Sequence, residues 1–180
     1  PLLPAVLVAA LTIGGTAWTL AAPEPTQERV VAHVDAGDGA TTWEVSGSTE
    51  WGRALDGTQA TSEVEMPTLE VAEAADGRVE ISFTAVREAS AVELTVGEGK
   101  LSQVRVDGVE VDSSAGLNSL GIHGLRAGQT VVVTADAAAG TELVAVETSF
   151  DPSLATGWDA PGEEVSLMQP CMEVVLTAQL

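Results

Sequence analysis

The residues able to do chemistry in this chain are few and scattered. It has one cysteine, Cys171, and two histidines, His33 and His123. A nucleophilic thiol needs a base beside it. Cys171 lies between Pro170 and Met172 at the head of an apolar strand pattern, which predicts a buried or half-buried thiol, not an attacking one. His123 sits within Gly121-Ile122-His123-Gly124-Leu125 with no second histidine nearby, and reads as capping or crossing a strand end. Asp35 and Asp38 resemble pieces of a calcium loop. Their spacing is wrong for one, and no bidentate glutamate follows at the required distance, so they read as a turn. Glu163 and Glu164 are adjacent; on a strand they would face opposite sides, and a solvated loop suits them better. Trp43, Trp51 and Trp158 have faces that could stack on a sugar, but such residues more often fill or cover a small core. There is no G-x-S-x-G elbow, no H-E-x-x-H, no phosphate-cradling glycine loop and no C-x-x-C pair. These readings assign no catalytic, metal-binding or cofactor-binding residue.

Charge narrows the partners. The 180 residues include 27 acidic and 7 basic side chains, a formal net charge of −20, and Lys100 is the single lysine. Such a surface repels nucleic acid and anionic headgroups while keeping a folded domain soluble. With one cysteine no internal disulfide can form, so cysteine usage does not identify a redox compartment.

The opening stretch, Pro1 to Pro23, carries no ionisable side chain. A helix of about 20 such residues, rising about 1.5 Å each, crosses a hydrocarbon layer about 30 Å thick. Residues 1–22 are therefore expected to form a transmembrane anchor, with Leu7, Leu11, Ile13, Gly14, Gly15, Trp18 and Leu20 as its membrane-facing or packing positions. Trp18 falls where an indole suits the headgroup boundary, and Ala9, Gly14 and Gly15 permit close helix packing. A cleaved signal is the rival reading, because Leu20-Ala21-Ala22 mimics a cleavage site, but the apolar stretch is long and no basic start is visible. The chain opens on Pro1 and is expected to be a fragment or a processed product. A Pro-rich linker over 23–27 would separate the anchor from a domain over 28–180. The scarcity of basic residues after Glu24 favours the extracytoplasmic side.

That domain must be β. Val79, Ile81 and Phe83 alternate with Glu80, Ser82 and Thr84, the pattern of a half-buried antiparallel strand. Similar runs occur at 27–34, 41–46, 68–72, 91–96, 119–125, 130–134, 142–149 and 173–178. Asp107-Gly108 between 101–106 and 109–111 is the strongest hairpin signal. Residues 47–65 read as a long loop or lid containing Trp51, and no segment after the anchor shows helical periodicity. The expectation is an antiparallel β-sandwich of about 8–10 strands.

Four segments together carry a family resemblance: His33-Val34-Asp35-Ala36-Gly37-Asp38-Gly39 leading to Trp43, Val104-Arg105-Val106-Asp107-Gly108, Leu120-Gly121-Ile122-His123-Gly124-Leu125, and Leu167-Met168-Gln169-Pro170 before the final strand. Their order resembles the C-terminal extracytoplasmic region of membrane-bound di-zinc aminopeptidases similar to the endoplasmic reticulum metallopeptidase, in bacterial form. The resemblance spans the whole chain, with Pro1 to Ala22 matching the last membrane helix. It implies a β-rich domain behind a catalytic domain whose histidine and carboxylate zinc ligands are absent here, so no catalytic residue, metal or cofactor carries over. The family's usual aspartate near the final strand is missing from Cys171-Met172-Glu173-Val174-Val175.

The expected function is thus a non-catalytic, membrane-anchored accessory domain at the cell membrane. Its expected partners are the lipid bilayer and the membrane part of the same protein or other membrane subunits, not nucleic acid. The alternatives are a single-pass accessory subunit of a larger membrane complex, and a hydrolase or receptor whose site is assembled from distant loops.

Overall fold

The computed structural model describes residues 24–74 and 76–180. The expected anchor, with Leu7, Leu11, Ile13, Gly14, Gly15, Trp18 and Leu20, lies outside the described residues. No helix among the described residues is long and apolar enough to cross a membrane.

Among the described residues twelve strands form two sheets, more than the 8–10 expected, because two of them are only two or three residues long. They are β1 (Thr26–Asp35), β2 (Ala40–Ser46), β3 (Gln59–Thr61), β4 (Thr68–Glu73), β5 (Val79–Thr84), β6 (Ala89–Val96), β7 (Ser102–Val106), β8 (Val109–Glu110), β9 (Ser119–Leu125), β10 (Thr130–Asp136), β11 (Glu142–Ser149) and β12 (Val165–Gln179). The larger sheet runs β3-β2-β1-β12-β11-β6-β9 and the smaller β4-β5-β10-β7-β8. Neighbours are antiparallel except β1 and β12, which run parallel. The first and last strands of the domain thus lie side by side at the middle of the larger sheet.

The alternation read from the sequence sets the faces. Ile81, Phe83, Val131 and Val133 of the smaller sheet meet Val92, Leu94, Leu143 and Ala145 of the larger one in a closed, mainly aliphatic core. Asp107 and Gly108 both take positive φ (49° and 80°), the type I′ geometry whose twist matches a tight hairpin. β12 is much longer than the expected 173–178 run. It carries a bulge: Gln169 and Pro170 oppose only Val30 between the pairs Arg29–Met168 and Val31–Cys171. Proline has no N–H for a ladder, and the bulge is where a strand tolerates it. The extra residue also resets the phase, so that Met172 and Val174 point into the core.

The smaller sheet does not cover β1, β2 and β3. Their inner face, with Val30, Ala32, Val34 and Trp43, packs instead against Leu55, Val64, Met66, Ala155 and Trp158. Those residues come from the 47–67 segment and the 150–164 connection. The expected lid is therefore structured: it contains α1 (Glu50–Leu55), then β3, and the later connection includes a 3-10 turn at Pro152–Leu154. Six residues make less than two helical turns, too few for a periodic pattern to register.

Candidate functional site

The three tryptophans converge at the covered end of β1–β3. Trp43 is buried on β2, Trp51 rides on α1, and Trp158 follows the 3-10 turn. The Trp43 and Trp158 ring centroids are 5.6 Å apart with planes tilted by 33°. Trp51 meets Trp158 edge-on, at 6.0 Å and 82°. Two indole N–H groups fasten the 150–164 connection: Trp43 Nε1 donates to the Thr156 carbonyl (3.1 Å) and Trp51 Nε1 to the Asp159 carbonyl (2.9 Å). Gly157, at φ +88°, passes so close to the Trp43 indole that a Cβ there would lie 3.3 Å from Nε1. A recess of about 320 Å³ remains, open to solvent and lined by Trp43, Trp51, Leu55, Gln59, Ala60 and Asp159 among others.

α1 is fixed at its start by a carboxylate from another element. Thr49, its N-cap, accepts the Gly52 N–H on Oγ1 (3.0 Å). Glu28 of β1 accepts the Thr49 N–H on Oε1 (2.7 Å). Together these reproduce a capping box, with the glutamate supplied across space instead of three residues along the helix. Glu28 is fully buried, and its Oε2 has no hydrogen-bond partner. A Cβ at Gly47 or Gly52 would overlap the Glu28 carboxyl group, so both positions must be glycine for the carboxylate to fit.

A second fully buried glutamate, Glu147 of β11, pairs with Arg87 (Nη1–Oε2 3.0 Å). Burial pushes the Glu147 carboxyl above the usual range, and the Arg87 guanidinium holds part of that rise back. Arg87 Nη2 also donates to the Glu65 carbonyl, joining the β5–β6 connection to the lid segment. Sequence reasoning missed both acids, although the signal exists. Glu28 is in phase with Val30, Ala32 and Val34, and Glu147 with Leu143 and Ala145.

The other predicted residues do not assemble. His33 Nε2 lies 3.2 Å from Glu44 Oε2, and Nδ1 lies 3.2 Å from Glu173 Oε2, so the ring stands between two carboxylates on the outer face of the larger sheet. His123 is exposed within edge strand β9, four strand positions from β1. At about 4.8 Å per strand that is roughly 19 Å, too far for the two imidazoles to act together. Cys171 is buried, and its thiol is pushed up by burial and by the Glu173 carboxylate, with Arg29 pulling the other way. A raised thiol pKa opposes thiolate formation. Asp35 and Asp38 accept the N–H groups of Gly37 (2.7 Å) and Ala40 (2.8 Å) and build the β1–β2 turn. Glu163 and Glu164 are exposed in the loop before β12. No group of three or more histidine, cysteine or acidic residues that could hold a metal occurs among the described residues.

No family model, no curated protein and no solved structure matches this chain. The resemblance to zinc aminopeptidases therefore rests on the four quoted segments alone.

Proposed function

We propose that the chain is a non-catalytic extracytoplasmic β domain held at the cell membrane by its apolar opening segment. It serves as the accessory C-terminal part of a membrane zinc-aminopeptidase-like protein, packing against the membrane portion of that protein. The observation that carries the reading is the disposition of the groups able to exchange protons or attack near neutral pH. His33 stands between two glutamates on the outer face of the larger sheet, His123 stands alone on an edge strand, and Cys171 is buried with a raised pKa. The tether is supported by the run from Pro1 to Pro23, which carries no ionisable side chain. Thr26 starts β1, and its N–H donates to the Glu164 carbonyl (2.9 Å) where β12 also starts.

Two measurements test this. The full chain should float with zwitterionic liposomes and resist carbonate extraction, whereas recovery in the aqueous fraction would refute the tether. Aminopeptidase assays with added zinc should show no turnover; turnover abolished by His123→Ala would refute the non-catalytic assignment.

A further inference from the structure

The tryptophan recess opens beside a free sheet edge. β3 is the outermost strand of the larger sheet: Gln59, Ala60 and Thr61 pair with Thr42, Thr41 and Ala40 of β2 on one side only. Its other edge presents backbone N–H and C=O groups without a ladder partner among the described residues. Gln59 and Ala60 also line the recess. A strand laid along β3 would therefore be held by its backbone while alternate side chains project over the recess.

The chemistry of the recess selects the side chain. Trp51 contributes exposed indole surface above the buried Trp43, the acidic residue Asp159 stands at the rim, and no basic residue lines it. Both indole N–H groups are already spent on backbone carbonyls, so the rings keep no donor for a hydroxyl-rich ligand. What remains is an electron-rich surface next to a negative charge, which suits an ammonium or guanidinium group. The net charge of −20 adds a long-range field drawing in the same kind of ligand.

We propose that the β3 edge and the Trp43–Trp51 recess bind an extended basic peptide segment of a partner protein, with one lysine or arginine side chain entering the recess toward Asp159. The proposal gives a chemistry to the partner of the accessory domain, and it rests on that reading only in treating the domain as a binder. Membrane tethering is scored separately by flotation.

The test uses the full chain in uncharged detergent micelles. The probe is a capped heptapeptide of alternating threonine and valine with arginine at its centre, followed through the Trp51 indole N–H resonance and tryptophan fluorescence. Saturable binding is expected, weakened by about tenfold or more when norleucine replaces the central arginine. High salt should weaken the arginine peptide and leave any norleucine binding unchanged. N-methylation of the peptide backbone should abolish binding, because the β3 edge then has no ladder to form. Trp51→Ala should abolish it too. Asp159→Asn provides a variant expected to fold, since Asp159 is exposed and holds Trp51 through its backbone carbonyl, not its carboxylate; it should weaken the arginine peptide by about 3–10-fold. Equal binding of the arginine and norleucine peptides would overturn the proposal. So would undiminished binding of the N-methylated peptide, no saturable binding up to millimolar concentrations, or a Trp51 response to cellobiose in place of peptide.

Discussion

The larger sheet is buried in two different ways. Over β11, β6 and β9 it is covered by a second sheet, and the contact is mainly aliphatic, with Phe83 as its aromatic ring among the described residues: Leu94, Leu143 and Ala145 against Ile81, Phe83 and Val133. Over β1, β2 and β3 it is covered by a six-residue helix and two connections, and the contact is aromatic, with Trp158 and Trp51 over Trp43, Val30, Ala32 and Val34. Strand pairing makes the first cover cooperative, since every residue added to a ladder is held on its neighbours. The second cover has few ladders. It is held by single anchoring contacts: two indole N–H bonds, the Glu28–Thr49 bond and the Arg87–Glu65 bond. Local opening concentrates where backbone bonds are few, so the aromatic half is expected to open first.

Trp43→Ala is the most severe way to break that asymmetry. Removing a fully buried indole costs about 3–5 kcal/mol through lost burial and the cavity left behind. It also frees the Thr156 carbonyl that fixes the 150–164 connection. Hydrogen exchange should show amides of α1, β3 and 150–164 losing protection while β5, β6, β10 and β11 keep theirs. Leu94→Ala, at a cost of about 2–5 kcal/mol, should lower protection in both halves together, because it empties the shared sandwich core. Equal, global loss in both variants would show that the two covers are one cooperative unit.

Glu28→Ala sharpens the comparison at one anchor. It leaves the Thr49 N–H without its acceptor and opens a space walled by Gly47 and Gly52, for about 1–3 kcal/mol. Glu28→Gln keeps an oxygen in place for Thr49 and should recover most of the loss. The exchange rates of the Thr49 and Gly52 amides check this directly, and unchanged rates in Glu28→Ala would remove the cap from the account. Gly108→Ala belongs to the ladder half and should cost less, about 1 kcal/mol, from forcing a side chain into positive φ at the β7–β8 turn. Thermal denaturation should register it with no change in exchange at α1.

The same asymmetry explains what the sequence reveals. Period-two alternation located nearly all the longer strands, because each had one buried face, and Asp107-Gly108 marked its turn because only such residues take two positive φ angles readily. The parallel pairing of β1 with β12 was not legible: it joins residues some 140 positions apart, and alternation records a face without naming a neighbour. α1 was too short to show a period, and β3 is three residues of polar edge. Among the site residues the three tryptophans were legible as a group that fills or covers a core, and that is their arrangement. Glu28 went unnoticed because a charged residue in an apolar phase reads as a break in the pattern, when here it is the point at which the two covers differ most.

Glu147 offers the subtlest test, since it stands where the covers meet: its own strand belongs to the sandwich, and its partner Arg87 reaches the lid through Glu65. Its carboxyl is raised from an ordinary value of 4.5, chiefly by burial. A group that binds its proton more tightly when folded stabilises the fold at acid pH. That contribution is fully present below 4.5 and is lost as pH rises through the elevated folded value. Asp76 and Asp112 run the opposite way, lowered by Arg78 and by the Ser114 N–H and hydroxyl respectively, so their contributions are present at neutral pH and fade toward acid. The pH profile of the parent protein therefore mixes both signs, and only a difference curve isolates Glu147. Subtracting the Glu147→Gln stability profile from the parent profile should leave a curve that falls as pH rises above 4.5 and then levels. A difference that rises instead would mean that Arg87 outweighs burial, and the seam between the two halves would then be an electrostatic clamp, not a buried acid tolerated for its position.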